Sequence, residues 1–405
     1  MSLVVQKYGG TSVADPERIR AVADHVARTH RRGREVVVVV SAMGKETDEL
    51  IRLAGDVSSI RPGREMDMLI TAGERKATAL LVMALHDLGV DAASYTGSQA
   101  GIITDSSHTK AKIVEIRGDR LRGALSAGKV PVVGGAQGVS AQDLDVTFLG
   151  RGGSDTTAVA LAHALGAAEC ELYTDVSGVF TADPRIVPDA RRLARVSFEE
   201  MLEMCASGCP KPEMRSVEFA RTWKVRLHVR SSFTWEPGTW IQEEDPNMEQ
   251  AIVSGVVADS SEAKVTVTGV PDRPGVAARL FRALADNHVN VDMIVQNVSV
   301  HGVTDISFTV PKSDLETGLH VARELQSEIG STDVMADREI ARVSLIGAGM
   351  KTHPGIAARM FETLAHEGVN IDMISTSPIR ISCVVRAHQI DQAVQSLHSA
   401  FELER

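Results

Sequence analysis

A repeat held in constant register constrains this chain more than any other feature of its sequence. Residues 274–281 read PGVAARLF and residues 354–361 read PGIAARMF. Residues 290–297 read NVDMIVQN and residues 370–377 read NIDMISTS. Both pairs are offset by 80 residues, so one supersecondary unit occurs twice. Each copy begins with an alternating strand (265–269 and 343–347). A loop ending in Pro-Gly, a helix, a second strand at Asn-x-Asp-Met and a further strand follow. A βαβ-type unit of this size cannot cover both faces of its own sheet. The copies are therefore expected to pack on each other or on another subunit.

The sequence ahead of the repeat has another rhythm. Runs at 3–5, 36–40, 130–133 and 172–173 read as buried strands, and stretches 16–28, 74–88 and 156–165 as helices. Residues 36–40 are five valines with no polar face, as expected of a strand covered on both sides. Alternating β and α elements predict a mostly parallel sheet with helices on both faces, binding its ligands at the strand ends. The polar, Pro-containing stretch 242–247 (QEEDPN) reads as a linker. The expected domains are 1–245, 250–335 and 336–405.

Aromatic residues make up only 4% of the 405, so the cores must be built from aliphatic side chains and methionine. The net charge of −10 argues against nucleic acid or a membrane surface as partner, because both are anionic. The N-terminus has no signal-peptide pattern and no apolar run approaches the roughly 20 residues of a spanning helix. A cytoplasmic enzyme is expected. Cys205 and Cys209, four apart on an expected helix, have no second ligand pair that would make them a metal site.

Three glycine-bearing segments carry the chemistry. Lys7-Tyr8-Gly9-Gly10-Thr11-Ser12 follows the first strand, with a cation and backbone amides that can face phosphate oxygens. It is not a P-loop, because the lysine precedes the glycines. Ser41-Ala42-Met43-Gly44, with Thr47 after it, ends the polyvaline strand. Gly150-Arg151-Gly152-Gly153-Ser154-Asp155-Thr156-Thr157 opens a helix with glycines, an arginine fork and hydroxyls, a further anion site. Ser154 or Asp155 is also a candidate N-cap.

Together KYGGTS, SAMG, TAGER, TGSQAG, LGRGGSDTTA and YTDVSGVFTADPR resemble the aspartokinase signatures in order and spacing. The repeat resembles the tandem ACT domains of those enzymes, and the likeness is closest to the short actinobacterial type. It implies an α/β amino-acid kinase fold that uses ATP and Mg²⁺ to phosphorylate the side-chain carboxylate of aspartate. Lys7, with the Gly9 and Gly10 amides, would face the transferring phosphoryl group, and Asp155 would hold Lys7 or the substrate ammonium. Arg151 would clamp the α-carboxylate, and Glu74 would meet the ammonium beside Ser41 and Thr47. Thr174, Asp175, Phe180, Arg185 and Lys211 would bind the nucleotide, whose phosphates would carry the Mg²⁺ without a protein metal site. Asp272, Pro274, Gly275, Val276, Ala277, Asn290, Gln296, Thr304 and Asp305 of the first copy would contact an amino-acid effector, threonine or lysine. Asn370, Ile371 and Thr376 of the second copy would do the same. The family also implies a homo-oligomer, or a hetero-oligomer with a shorter chain started near Met248.

The sequence departs from the family pattern in places. Pro210 stands where relatives have a phosphate-contacting lysine, displacing Lys211 by one, and Pro212 follows it. Phe180 replaces a common tyrosine, Pro378 an acidic residue, and Ala136 an aromatic one. Three readings stay open on sequence alone. The chain is a regulated aspartate kinase, a kinase for a substituted acid, or a catalytically weak amino-acid sensor.

Overall fold

The computed structural model describes residues 2–243, 252–297 and 302–405. The linker stretch beyond Glu243 and Met248 lie outside the described residues.

An eight-stranded sheet organises the first half. Its order is Arg195–Ser197, Thr239–Gln242, Leu227–Ser231, Glu169–Thr174, Leu3–Tyr8, Glu35–Val40, Val130–Gly134 and Ala92–Tyr95. Neighbouring strands run parallel, except Leu227–Ser231 against Thr239–Gln242. Val36–Val40 is buried along its length, as its lack of a polar face requires. On one face Val4, Tyr8, Val38 and Val132 pack with Val22 and Val26 of helix Pro16–Arg31 and Leu81 and Leu85 of helix Ala72–Asp87. Helix Pro16–Arg31 starts where local chemistry dictates. Asp15 accepts a hydrogen bond from the Arg18 amide at 2.9 Å, Pro16 opens the first turn, and Arg28, His30 and Arg31 occupy the last.

The first strand is longer than its apolar run, so Lys7 lies within it rather than after it. Helix Ala72–Asp87 begins two residues before the expected start and places Glu74 in its first turn. A small sheet of strands Ile113–Ile116, Ile102–Thr104, Gln137–Ser140 and Val146–Phe148 leads into the Gly150–Gly153 loop. Helix Phe198–Ala206 ends before Cys209, so the two cysteines do not share a helical face.

The duplicated units each form a four-stranded antiparallel sheet. The first is Ile294–Gln296, Val303–Pro311, Glu262–Pro271 and Asp333–Asp337; the second is Gly255–Asp259, Ile340–Ile346, Arg380–Arg386 and Met373–Ser377. Gly255–Asp259 precedes the first copy in sequence but completes the sheet of the second. The Pro-Gly loops repeat in conformation as well as sequence. Gly275 (φ +97°) and Gly355 (φ +95°) turn the chain through left-handed backbone into helices Val276–Asp286 and Ile356–His366.

The copies pack on each other through the second motif. Met293 and Met373 share a small core with Ile340 and Val384. Ion pairs cross reciprocally: Asp292 of the first copy binds Arg342 of the second, and Asp372 of the second binds Lys264 of the first at 3.2 Å. Arg342 is almost fully buried. It also meets Glu262 at 3.2 Å and Asp259 at 3.4 Å, and donates to the Ala206 carbonyl at 2.7 Å.

Chain order and compact units differ at two places. Phe180–Arg191 and Ala206–Cys209 belong to the unit built from the C-terminal half, although the first half of the sequence encodes them. The Thr181 carbonyl accepts from the Val256 amide at 2.7 Å, its hydroxyl meets His398 at 2.9 Å, and Ala182 and Val187 enter the core beside Val343 and Leu364. No helix among the described residues is long and apolar enough to cross a membrane.

Candidate active site at the carboxyl ends of the sheet

Lys7 and Leu3–Tyr8 define the centre. The ammonium leaves the sheet on the face covered by helix Gly153–Leu165 and lies 2.6 Å from Asp155, with both side chains buried. Neither Ser154 nor Asp155 caps that helix; Gly152, at φ +73°, occupies the cap position. Asp155 serves the lysine instead. Burial pushes its carboxyl up, but the Lys7 charge and hydrogen bond, with help from Lys211, outweigh that and hold it below the usual range.

The first two loops interlock. Gly10 passes so close to the second loop that a β-carbon would lie 2.9 Å from the carbonyl oxygens of both Ala42 and Gly44. The Gly44 amide donates to the Gly10 carbonyl at 3.0 Å, and the Ser41 amide to the Tyr8 carbonyl at 3.1 Å. The Gly9 amide binds the Tyr173 carbonyl at 3.1 Å, which sets Thr174 and Asp175 beside the same loop. There the Thr174 hydroxyl donates to Asp175 at 2.8 Å.

Glu74 is the second ionisable group of the site and is also buried. Burial pushes its carboxyl up to about 7, against the opposing pull of its own amide and that of Ala42. Its Oε2 has no hydrogen-bond partner, and neither has the buried Nε2 of Gln137. Both side chains flank Gly134, where a β-carbon would sit 2.8 Å from that nitrogen and 3.3 Å from Glu74 Cβ. A buried acceptor and a buried donor left open are costly unless a ligand or water completes them. Gln137 is not singled out by the sequence, and only its tertiary position next to Glu74 reveals it.

Arg151 is exposed and donates to Asp48 at 2.8 Å. Asp48 is in the first turn of helix Glu46–Val57, beside Thr47, so Thr47 stands on a helix and not in a loop. The arginine is thus tied to the helix that follows the Ser41–Gly44 loop. Lys211 is exposed and its charge reaches Asp155. Phe180 and Arg185 belong to the segment that packs with the second unit, so they are not part of this cluster. Arg185 holds both oxygens of Asp183, at 2.6 to 3.1 Å.

In the duplicated half, Pro274 and Gly275 form the loop ahead of the helix, while Val276 and Ala277 face the core of their own copy. The Asp272 amide donates to the Gly302 carbonyl at 2.9 Å. Thr304 is buried and donates to the Asn297 carbonyl at 2.7 Å, and Asp305 accepts from the Gly269 amide at 2.9 Å. Asn290, Gln296, Asn370 and Thr376 are exposed, and Ile371 packs on the core of the second copy.

Comparison with known proteins agrees with this anatomy. Residues 2–231 match the amino acid kinase family, and residues 265–325 and 343–401 match the ACT domain. The aspartokinase of Mycolicibacterium smegmatis is 56% identical over 407 residues, covering all of this chain and 97% of that protein. The structure of aspartate kinase from Synechocystis is 44% identical with a TM-score of 0.56, covering 99% of this chain and 70% of that one. The E. coli aspartokinase III structure in complex with lysine and aspartate is 25% identical with a TM-score of 0.76, covering 98% and 99%. With likeness running from the first strand through both copies of the repeat, the chain belongs to the aspartokinases, amino acid kinases that carry ACT regulatory domains.

Proposed function

We propose that the enzyme transfers the γ-phosphoryl group of ATP to the side-chain carboxylate of L-aspartate, giving 4-phospho-L-aspartate. The observation that carries this reading is the buried Lys7–Asp155 pair between two glycine loops, with the open Glu74 carboxylate beside them. A loose phosphoryl-transfer transition state asks mainly for positioned positive charge, and Lys7 and Lys211, whose charges both reach Asp155, would supply it. The acceptor needs no general base, because a carboxyl with a pKa near 4 is ionised at neutral pH. Glu74, ionised, would take the substrate ammonium. Arg151 would exchange Asp48 for the α-carboxylate, which its planar fork can hold in bidentate fashion. Thr174 and Asp175 would line the nucleotide.

Mg²⁺ fits as part of the ATP. Asp155 is committed to Lys7, and no described group of three or more His, Cys, Asp or Glu side chains is arranged as a metal cage. The metal would neutralise phosphate charge, leaving the protein to orient the groups. Threonine, lysine or both would act from the ACT domains through the exposed Asn290, Gln296, Asn370 and Thr376 with the Pro274–Gly275 loop. The enzyme would work in the cytoplasm as an oligomer.

A second reading, a substituted aspartate as acceptor, draws on Ala136. Its side chain is buried beside Phe148 and Ile70, at a position where the family resemblance implies an aromatic ring. One assay covers both. Purified enzyme receives Mg·ATP with aspartate, 3-methylaspartate or glutamate, and hydroxylamine traps the acyl phosphate as a hydroxamate. Hydroxamate is expected with aspartate at the highest kcat/KM. A preference for 3-methylaspartate would transfer the assignment to the second reading, and no hydroxamate with any acid would remove both.

A further inference from the structure

We propose that Arg215 is a positioning residue for the acceptor half of the site, although it stands on the segment that carries Lys211. The inference rests on the phosphoryl-transfer reading above.

Arg215 lies in the first turn of helix Met214–Trp223, whose cap is Glu213, accepting from the Ser216 amide at 3.1 Å. One guanidinium nitrogen donates to the Leu149 carbonyl at 3.2 Å and the other to the Ala111 carbonyl at 3.3 Å. The Ala111 amide in turn binds the Phe148 carbonyl at 2.9 Å, and the Leu149 amide binds the Ala136 carbonyl at 2.8 Å. The peptide of Leu149 is therefore held on both sides, and the next residues are Gly150 and Arg151. Two carbonyls on separate segments need two donors with fixed separation, which a guanidinium has and an ammonium lacks.

A second set of contacts runs from the same segment to the same loop. A β-carbon at Gly152 would fall 2.0 Å from Glu213 Cγ, so the loop closes directly on Glu213. The Glu213 amide faces Asp155 Oδ2 at 3.4 Å while the other oxygen holds Lys7. Within five residues, 211–215, one stretch carries a cation whose charge reaches Asp155 and touches the loop at Leu149, Gly152 and Asp155. The prolines at 210 and 212 remove two backbone donors from this stretch. Its seat is made instead by the side chains of Glu213 and Arg215. The acceptor loop and the phosphate-facing lysine then share one anchor.

The test is steady-state kinetics of the full-length enzyme, wild type against Arg215→Met and Arg215→Lys, with aspartate and Mg·ATP varied separately and thermal melts alongside. Arg215→Met should raise KM for aspartate by about ten-fold or more, the scale of a lost charge-assisted hydrogen bond. Arg215→Lys, which keeps the charge but not the fork, should show a partial rise. A purely structural role would lower the melting midpoint and leave KM for aspartate alone. A KM for aspartate within two-fold of wild type in a folded variant overturns the proposal, whatever happens to KM for ATP. If Arg215→Met does not fold, the KM of Arg215→Lys decides. A wild type that traps no hydroxamate marks failure of the functional reading instead, which a normal wild type with an unmoved variant does not.

Discussion

Glu74 is the residue whose chemistry most depends on pH. With its carboxyl pushed up to about 7 by burial, it is neutral in much of the unliganded enzyme at mildly acid pH. Only the carboxylate attracts an ammonium group, so KM for aspartate should fall as pH rises towards and past about 7, then level off. Binding should expel a proton, seen by calorimetry in buffers of different ionisation enthalpy. Glu74→Gln should abolish both the proton release and the pH dependence while weakening binding. The stability sign is fixed by the same shift. The folded value lies above the ordinary 4.5, so the group's contribution is intact below that range and is lost as pH rises through about 7. Denaturation of unliganded wild type should show that loss and Glu74→Gln should not. The sequence pointed to this glutamate through the family resemblance, in which TAGER is one of the matching motifs. Its partner position at Gln137 was not legible, since nothing within GAQG says that Gly134 brings the two side chains together.

At the scale of elements, long periodic segments were the readable ones. Five buried valines admit one interpretation, whereas the small sheet that delivers the Gly150 loop is built from strands of three and four residues, too short to show a period. The duplicated units were readable from their repetition, and what fastens them was not. Arg342 and Lys264 are single basic residues in strands, and their pairing with Asp292 and Asp372 is a property of two copies packed together. Arg342 gathers three carboxylates in a buried setting, where losing the cation leaves uncompensated charge. Arg342→Met should cost roughly 3–5 kcal/mol by chemical denaturation at neutral pH. The deficit should shrink in acid, because burial already pushes Glu262 up to about 7 and protonation relieves the repulsion first there. A deficit independent of pH would mean that lost packing, and not charge, sets the cost.

For the whole molecule, the two halves are not separable at a single cut. The QEEDPN stretch reads as a boundary because composition changes there, but segment Phe180–Arg191 packs with the C-terminal unit, and no local pattern reports such an exchange. A fragment spanning residues 249–405 should therefore bind a hydrophobic dye and melt below the corresponding transition of the full chain. Synthetic peptide 179–192 added in excess should reverse both effects, and a dye-silent fragment indifferent to the peptide would refute this. A short chain begun near Met248 would be born with an empty slot shaped for Ala182 and Val187, with the Val256 amide and His398 waiting for Thr181. Only a molecule containing the kinase half encodes that insert, so a separately translated regulatory chain would have that slot to leave open or fill from another molecule.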